Sequence, residues 1–177
     1  ALSRAEYVLA VDAYQQAVNL LPQPEAPYLG LAQSLAQLDR VEEAHAAFAA
    51  AVDQNPTEPR AHYGLAETFA ALRQYTDAAA AYQQAITLDP EYGAAYYGLA
   101  RVYFVLGQFA DVVTVHQQAW ALGMDHANLH CELGCAYHQL NRHDEALAAY
   151  QQAVEVDPNH VAAWIGLSSA YLALGRE

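Results

Sequence analysis

Residues 130–140 read HCELGCAYHQL, which puts His130, Cys131, Glu132, Cys135 and His138 into one short stretch. Cys131 and Cys135 are the only cysteines of the chain. Thiolate, imidazole and carboxylate are the ligand types of zinc, and a thiol beside an imidazole is the pairing of a cysteine nucleophile with its base. On a helix, at about 100° per residue, Cys131, Cys135 and His138 share one face and His130 points elsewhere. Three soft ligands on one face need a fourth from a neighbouring element to complete a tetrahedron. A catalytic thiolate needs a group to orient the histidine and donors for an oxyanion, and neither is evident. Both readings depend on the elements that surround the stretch.

Composition limits what those elements are. The 177 residues suffice for one sizeable domain, and a chain rich in alanine, glutamine and tyrosine favours helix over strand. Seven arginines and no lysine stand against twenty acids, a formal net charge of −13. That balance argues against a nucleic-acid partner or an anionic membrane surface, both of which need a basic footprint. No run of eighteen apolar residues is free of polar interruption, and the opening ALSRAEYVLA is amphipathic and unlike a signal peptide. Two cysteines four apart form no disulfide framework, so a reducing, cytoplasmic setting is expected, and arginine without lysine hints at a GC-rich bacterial genome.

The chain is periodic. AVDAYQQAVNLLP, AHAAFAAAVDQNP, AAAAYQQAITLDP and ALAAYQQAVEVDP close on Pro22, Pro56, Pro90 and Pro158. The first three prolines are 34 apart and the last follows after twice 34, with Met124 of VVTVHQQAWALGM in the missing slot. YLGLAQSL, HYGLAETF, YYGLARVY, HCELGCAY and WIGLSSAY keep the same step. In the second set Tyr96, Leu99, Ala100 and Tyr103 fall on one helical face; in the first, Ala78, Tyr82 and Ala85 do so before a proline forbids continuation. Small residues recur where helices must approach: Ala32, Ala66, Ala100, Gly134 and Ser168, and Ala17, Ala51, Ala85, Ala119 and Ala153. Such a hairpin cannot bury its own face and must stack on its neighbours.

These residues resemble the tetratricopeptide repeat family along the whole chain. The resemblance implies an all-α, right-handed superhelical solenoid of antiparallel helix pairs. Full repeats are expected at 25–58, 59–92, 93–126 and 127–160. Residues 1–24 supply the second helix of a partial repeat, opened by a Ser3/Glu6 capping box, and 161–177 the first helix of another. Trp164, Leu167 and Tyr171 would then face a second helix that the sequence lacks, as in a piece of a longer protein. The repeat at 93–126 departs from the pattern at Val112, His116 and Met124, so altered packing or an altered loop is expected around Gly123.

The resemblance also implies where binding occurs. The family's arrays are protein–protein interaction scaffolds that hold a peptide or helix in a concave groove lined by the first helices. Carried over by position, the groove comprises Arg60, Tyr63 and Glu67; Tyr97, Arg101 and Phe104; Asn128, Cys131, Glu132, Cys135 and His138; and Ile165. The first repeat adds only Leu29 and Gln33. HCELGCAYHQL is then a first helix, and the flanking positions Tyr97, Arg101, Phe104, Ile165 and Ser169 offer no fourth metal ligand. Neither a cofactor nor a catalytic constellation is expected. Tyr82, Tyr103, Tyr137 and Tyr150 are assigned to packing, and Arg101 is close enough to Glu132 to pair with it. Gly30, Gly64, Gly98 and Gly166 share a column in which the backbone must be approached closely, by a ligand or by a tyrosine of the next helix, or in which adjacent helices stack tightly. The chaperone-binding carboxylate clamp is absent, since Leu29, Gln33, Gly64, Ala94 and Gly98 stand in its columns. A non-enzymatic binding module leads the readings. Behind it come the substrate-selecting adaptor of a larger enzyme such as a glycosyltransferase, a metal-responsive scaffold using Cys131, Cys135 and His138, and self-association through open solenoid ends.

Overall fold

The computed structural model describes residues 3–21 and 25–175, which form ten α-helices and no strand. The chain divides into two compact units, residues 1–92 and 93–177.

The first unit holds α1 (Arg4–Leu20), α2 (Glu25–Gln37), α3 (Val41–Gln54), α4 (Pro59–Ala71) and α5 (Tyr75–Leu88). Each packs on the next, and α2 also meets α4. The capping box opens α1: the Glu6 amide donates to Ser3 Oγ and the Ser3 amide to the Glu6 carboxylate at 2.6 Å. Pro22, the first of the repeating prolines, lies outside the described residues. Pro56 and Pro90 follow α3 and α5, and each forces the residue before it into extended backbone, with ψ 93° at both Asn55 and Asp89. Asn55 and Asp89 then accept the amides of Thr57 and Glu91, each at 3.0 Å, which closes the loop onto the next helix.

The turns inside the helix pairs use left-handed residues, Asp39 (φ 58°) and Arg73 (φ 60°). The following amides bond back into the helix, Arg40 N–H to Leu35 O and Gln74 N–H to Phe69 O. Aspartate tolerates this backbone better than arginine does. Arg73→Gly is expected to raise stability by about 1 kcal/mol, read from the urea midpoint, because the Cβ penalty disappears where the turn requires positive φ.

Alanines let these helices come close: Ala32, Ala44, Ala61, Ala66, Ala78 and Ala85 are fully buried. Rings fill the intervening space. An ideal Cβ on Gly30 would stand 2.4 Å from Tyr14 Cζ, and one on Gly64 would stand 2.1 Å from Phe48 Cε1. At these two glycines the approaching group is an aromatic ring of the preceding helix pair, which answers the question their column raised.

The second unit holds α6 (Gly93–Val105), α7 (Phe109–Ala121), α8 (Ala127–Gln139), α9 (His143–Val156) and α10 (Val161–Ala173). Successive helices pack together, and α8 also meets α6 and α10. The Tyr150 ring is wedged between α8 and α10, so that a Cβ would lie 2.6 Å from it at Gly134 and 2.3 Å at Gly166. Gly107 (φ 73°) and Asn141 (φ 58°) make the tight turns. The loop after α7 differs from the proline loops, as its sequence requires. With Met124 in the proline slot, α7 is one residue shorter than α9 and ends on Gly123 at φ 76°. Gly123 N–H bonds to Trp120 O at 2.9 Å and Met124 N–H to Ala119 O at 3.1 Å, the paired bonds of a Schellman cap. Val112, large where the pattern has alanine, is fully buried. Leu167 finds its contacts in the core formed by Ala146, Leu147 and Tyr150, whereas Trp164 and Tyr171 remain partly exposed.

Candidate functional site

In the first unit, Arg60, Tyr63 and Glu67 lie on one face of α4 because their spacings of three and four residues match the helical turn. That face borders a cavity of about 810 Å³ walled also by Tyr7, Tyr14, Gln33 and Tyr92. Tyr63 meets Tyr92 edge-on with ring centroids 5.1 Å apart and leans on Tyr82 at 5.8 Å. Tyr82, buried as its packing assignment requires, donates its hydroxyl to the Glu67 carboxylate. Arg60 Nε donates to Glu58 Oε1 at 2.8 Å, and that hydrogen bond holds the Glu58 carboxyl below the usual range. Burial raises the Tyr92 phenol. Arg60, Tyr63, Glu67 and Gln33 were expected from the sequence, whereas Tyr7, Tyr14 and Tyr92 were missed, because the carried-over pattern counts only first helices.

In the second unit the Arg101 guanidinium lies 5.5 Å from the Tyr97 ring centroid. Tyr97 and Asn128 border a hollow of about 370 Å³ with Gly93, His126, Asp157 and His160. His160 Nδ1 accepts the Ala163 amide, so its Nε2 carries the proton and donates to Asn128 Oδ1 at 2.8 Å. Burial raises the Glu132 carboxyl and the Arg101 charge opposes it, so the two interact electrostatically. Phe104 turns its ring edge to Phe109, with centroids 5.3 Å apart. Ile165 is 64% exposed.

Cys131 corrects the groove expectation: it is 7% exposed and belongs to the core cluster with Tyr150 and Leu167, so it offers a partner little surface. Its side chain packs among residues of α9 and α10. Cys135 is partly exposed, and its Sγ accepts the Tyr150 hydroxyl at 3.3 Å. A hydrogen bond from Cys131 lowers the Cys135 thiol and correspondingly raises the Cys131 thiol. His138 faces His143 instead of the cysteines, with centroids 5.0 Å apart. Among the described residues no three histidine, cysteine or acidic side chains come together to hold a metal ion.

A cluster the sequence reading did not assemble lies on the other side of α8. In the first-helix column, His62 Nε2 contacts Pro56 O at 2.8 Å and Trp164 Nε1 donates to Pro158 O at 2.9 Å. His130 stands in the same column, but with the proline replaced by Met124 its Nε2 finds Asp125 Oδ1 instead, at 2.8 Å. Its Nδ1 lies 3.0 Å from His116 Nε2. His130 is only 3% exposed. Burial, with the neighbouring His130, pushes the His116 imidazole down to about 4, against the pull of Asp125. Trp120 stacks on His116 at 6.3 Å and 11°. The signal was available: His116 and Met124 break the pattern, and His130 is polar in a mostly aromatic column.

Three family models, each described as a tetratricopeptide repeat, match residues 29–91, 69–130 and 127–160. The chain belongs to the tetratricopeptide repeat family. Its fold is the all-α helical-repeat solenoid of that family. A solved structure of YrrB, described as a tetratricopeptide repeat protein with an unusual peptide-binding site, is similar at 23% identity and a TM-score of 0.78 over 95% of this chain and 87% of that one. MamA is similar at 21% identity and a TM-score of 0.79, covering 88% of this chain and 85% of that one. TTC0263, a thermophilic tetratricopeptide repeat protein of Thermus thermophilus, shares 26% identity at a TM-score of 0.70, covering 95% and 92%. No curated protein matches. Among the described residues of this tetratricopeptide repeat chain, no helix is long and apolar enough to cross a membrane.

Proposed function

We propose that the chain is a protein-interaction scaffold that binds a peptide or helical segment of another protein on the faces of its first helices. The observation that carries this reading is the cavity of about 810 Å³ beside α4. Four tyrosines wall it, with the Gln33 amide, and its charged lining, Arg60 against Asp39 and Glu67, leaves a single net negative charge in a chain of net charge −13. Tyrosine gives large contact area at low entropic cost, and exclusion of excess charge is the character of an interface core. The peptide-binding site of YrrB, on a similar fold, supports the same use here. In the second unit the proposed contacts are Tyr97, Arg101, Phe104, Asn128, Glu132, Cys135, His138 and Ile165, with Cys131 at their back. The repeat boundaries at 25–58, 59–92, 93–126 and 127–160 go with this reading.

Site-specific photocrosslinking tests it. A benzophenone amino acid at Gln33 or at Ala94, both exposed, is expected to capture the same partner from lysate, while one at exposed Gln84 on α5 captures none. Capture is expected to fall at least about tenfold in a Tyr63→Ala, Tyr97→Ala, Arg101→Ala variant of unchanged circular dichroism, the loss of a hot-spot residue or two. Equal capture at Gln84, or no loss in the variant, would move binding off these faces.

A further inference from the structure

The two thiols of the chain stand one helical turn apart on α8, in unlike surroundings. Cys131 is buried among residues of α9 and α10, whereas Cys135 is partly exposed. Two donors converge on the Cys135 sulfur. Cys131 S–H reaches it along α8, and Tyr150 O–H reaches it from α9 at 3.3 Å. Tyr150 has no room to swing away, because its buried ring is held between Gly134 of α8 and Gly166 of α10. Donors aimed at a sulfur favour the thiolate over the thiol, and the thiolate is the nucleophile. The hydrogen bond from Cys131, joined by that from Tyr150, outweighs burial and lowers the Cys135 thiol, with Glu132 opposing. The other neighbours change this little. From α6, Arg101 acts on Glu132; α10 carries no charged side chain; His138 is turned to His143, and α7 meets α8 through His116 at His130.

We propose that Cys135 is a site of oxidation by hydrogen peroxide, and that its product is a sulfenic acid and not a disulfide with Cys131. The thiolate sulfur attacks one peroxide oxygen, the O–O bond breaks, and the departing hydroxide takes a proton to become water. The sulfur loses two electrons and the peroxide gains them. Cys131 assists as a donor but cannot close on the oxidised sulfur. Residues four apart on a helix hold their Cβ atoms about 5–6 Å apart, and a disulfide needs about 3.5–4.5 Å. Closing that gap would break the backbone ladder of a helix packed on α6, α7, α9 and α10. The acid on Cys135 therefore persists until a small thiol from solution condenses with it, releasing water and leaving a mixed disulfide. A second such thiol then displaces Cys135 as its thiolate.

The test treats the full chain with hydrogen peroxide, traps sulfenic acid with dimedone and reads the adducts by peptide mass spectrometry. One adduct is expected on Cys135 and none on Cys131, without the loss of two hydrogens that a disulfide would show. The rate of adduct formation against pH should have its midpoint below the ordinary thiol value of about 8.5. Tyr150→Phe keeps the ring and removes only its hydroxyl. It should raise the midpoint by about 0.5–1 unit and slow the reaction at pH 7 by about three- to tenfold, with unchanged circular dichroism. Cys131→Ala removes the other donor and should slow it likewise, whereas Cys131→Ser supplies a hydroxyl in its place and should stay within about twofold of the parent. An adduct on Cys131, a Cys131–Cys135 disulfide as the main product, or a midpoint at the ordinary thiol value would overturn the proposal. So would an unchanged rate in both Tyr150→Phe and Cys131→Ala.

Discussion

Gly64→Ala is expected to destabilise the first unit by about 2–3 kcal/mol, although alanine is the better helix former by about 1 kcal/mol. The added methyl would lie 2.1 Å from Phe48 Cε1 and 2.3 Å from Cζ, inside the distance that any carbon pair tolerates. Phe48 is buried at the junction of α3 with α4, so its ring has little room to retreat. Relief must come from separating two helices that are also joined by the contact of His45 with Thr68 and Phe69. Urea denaturation read by circular dichroism gives the difference. Phe48→Leu in the same background should recover part of the loss, so that the two substitutions are non-additive. A Gly64→Ala chain as stable as the parent, or more stable by the helix-propensity gain, would mean that the ring moves freely and that the wedge is not structural.

The second large effect is a loss of stability on acidification centred in the second unit. Burial holds His116 down to about 4, whereas an unfolded chain protonates histidine near its ordinary value of about 6.5. Between those values the unfolded state binds more protons, so stability falls as pH drops from about 6.5 toward 4 and the loss is complete below. The partial exposure of His116 discounts the effect to on the order of 1–2 kcal/mol. His130 and Asp125 act directly on the ring; Tyr137 and Glu145, the latter ion-paired with Arg142, line the same cleft between α7 and α9 as His116. Glu132 works in the opposite direction. Its raised carboxyl binds protons more readily when folded, which favours the fold as pH falls through its range. The measurement is the difference in unfolding free energy between the parent and His116→Phe at several pH values. The difference should narrow steadily between pH 6.5 and 4. A gap independent of pH would show that His116 has the same proton affinity folded and unfolded.

The fold was legible because its determinants are short-range and repeated. A proline after four of the five second helices, alanines at fixed positions and an aromatic in most facing slots carry their meaning without knowledge of the partner residues. The left-handed turn at Arg73 was not legible, since arginine gives no sign of positive φ and the turn is imposed by the helices it joins. The site was legible only in part. Positions carried over from the family found Arg60, Tyr63 and Glu67 but not the Tyr7, Tyr14 and Tyr92 walls, which come from other elements. Cys131 read as groove-facing on an ideal helix, but a face is assigned by what packs on it, and α9 and α10 cover that sulfur. His116 and His130 are 14 residues apart and belong to different helices. Their meeting depends on how α7 seats on α8, which no local pattern encodes.

No helix in either unit touches another more than two places along the chain. A chain built this way never has to bring distant segments together before it gains anything, so the entropic search that slows sheet proteins is nearly absent. Folding can start at any one pair of helices and spread to the next. The converse also follows: a helix at the margin of a unit can detach while the interior holds. Backbone amides of α1 and α10 should exchange with solvent by such partial openings, well before those of α3 and α8, whose release requires their neighbours on both sides to leave.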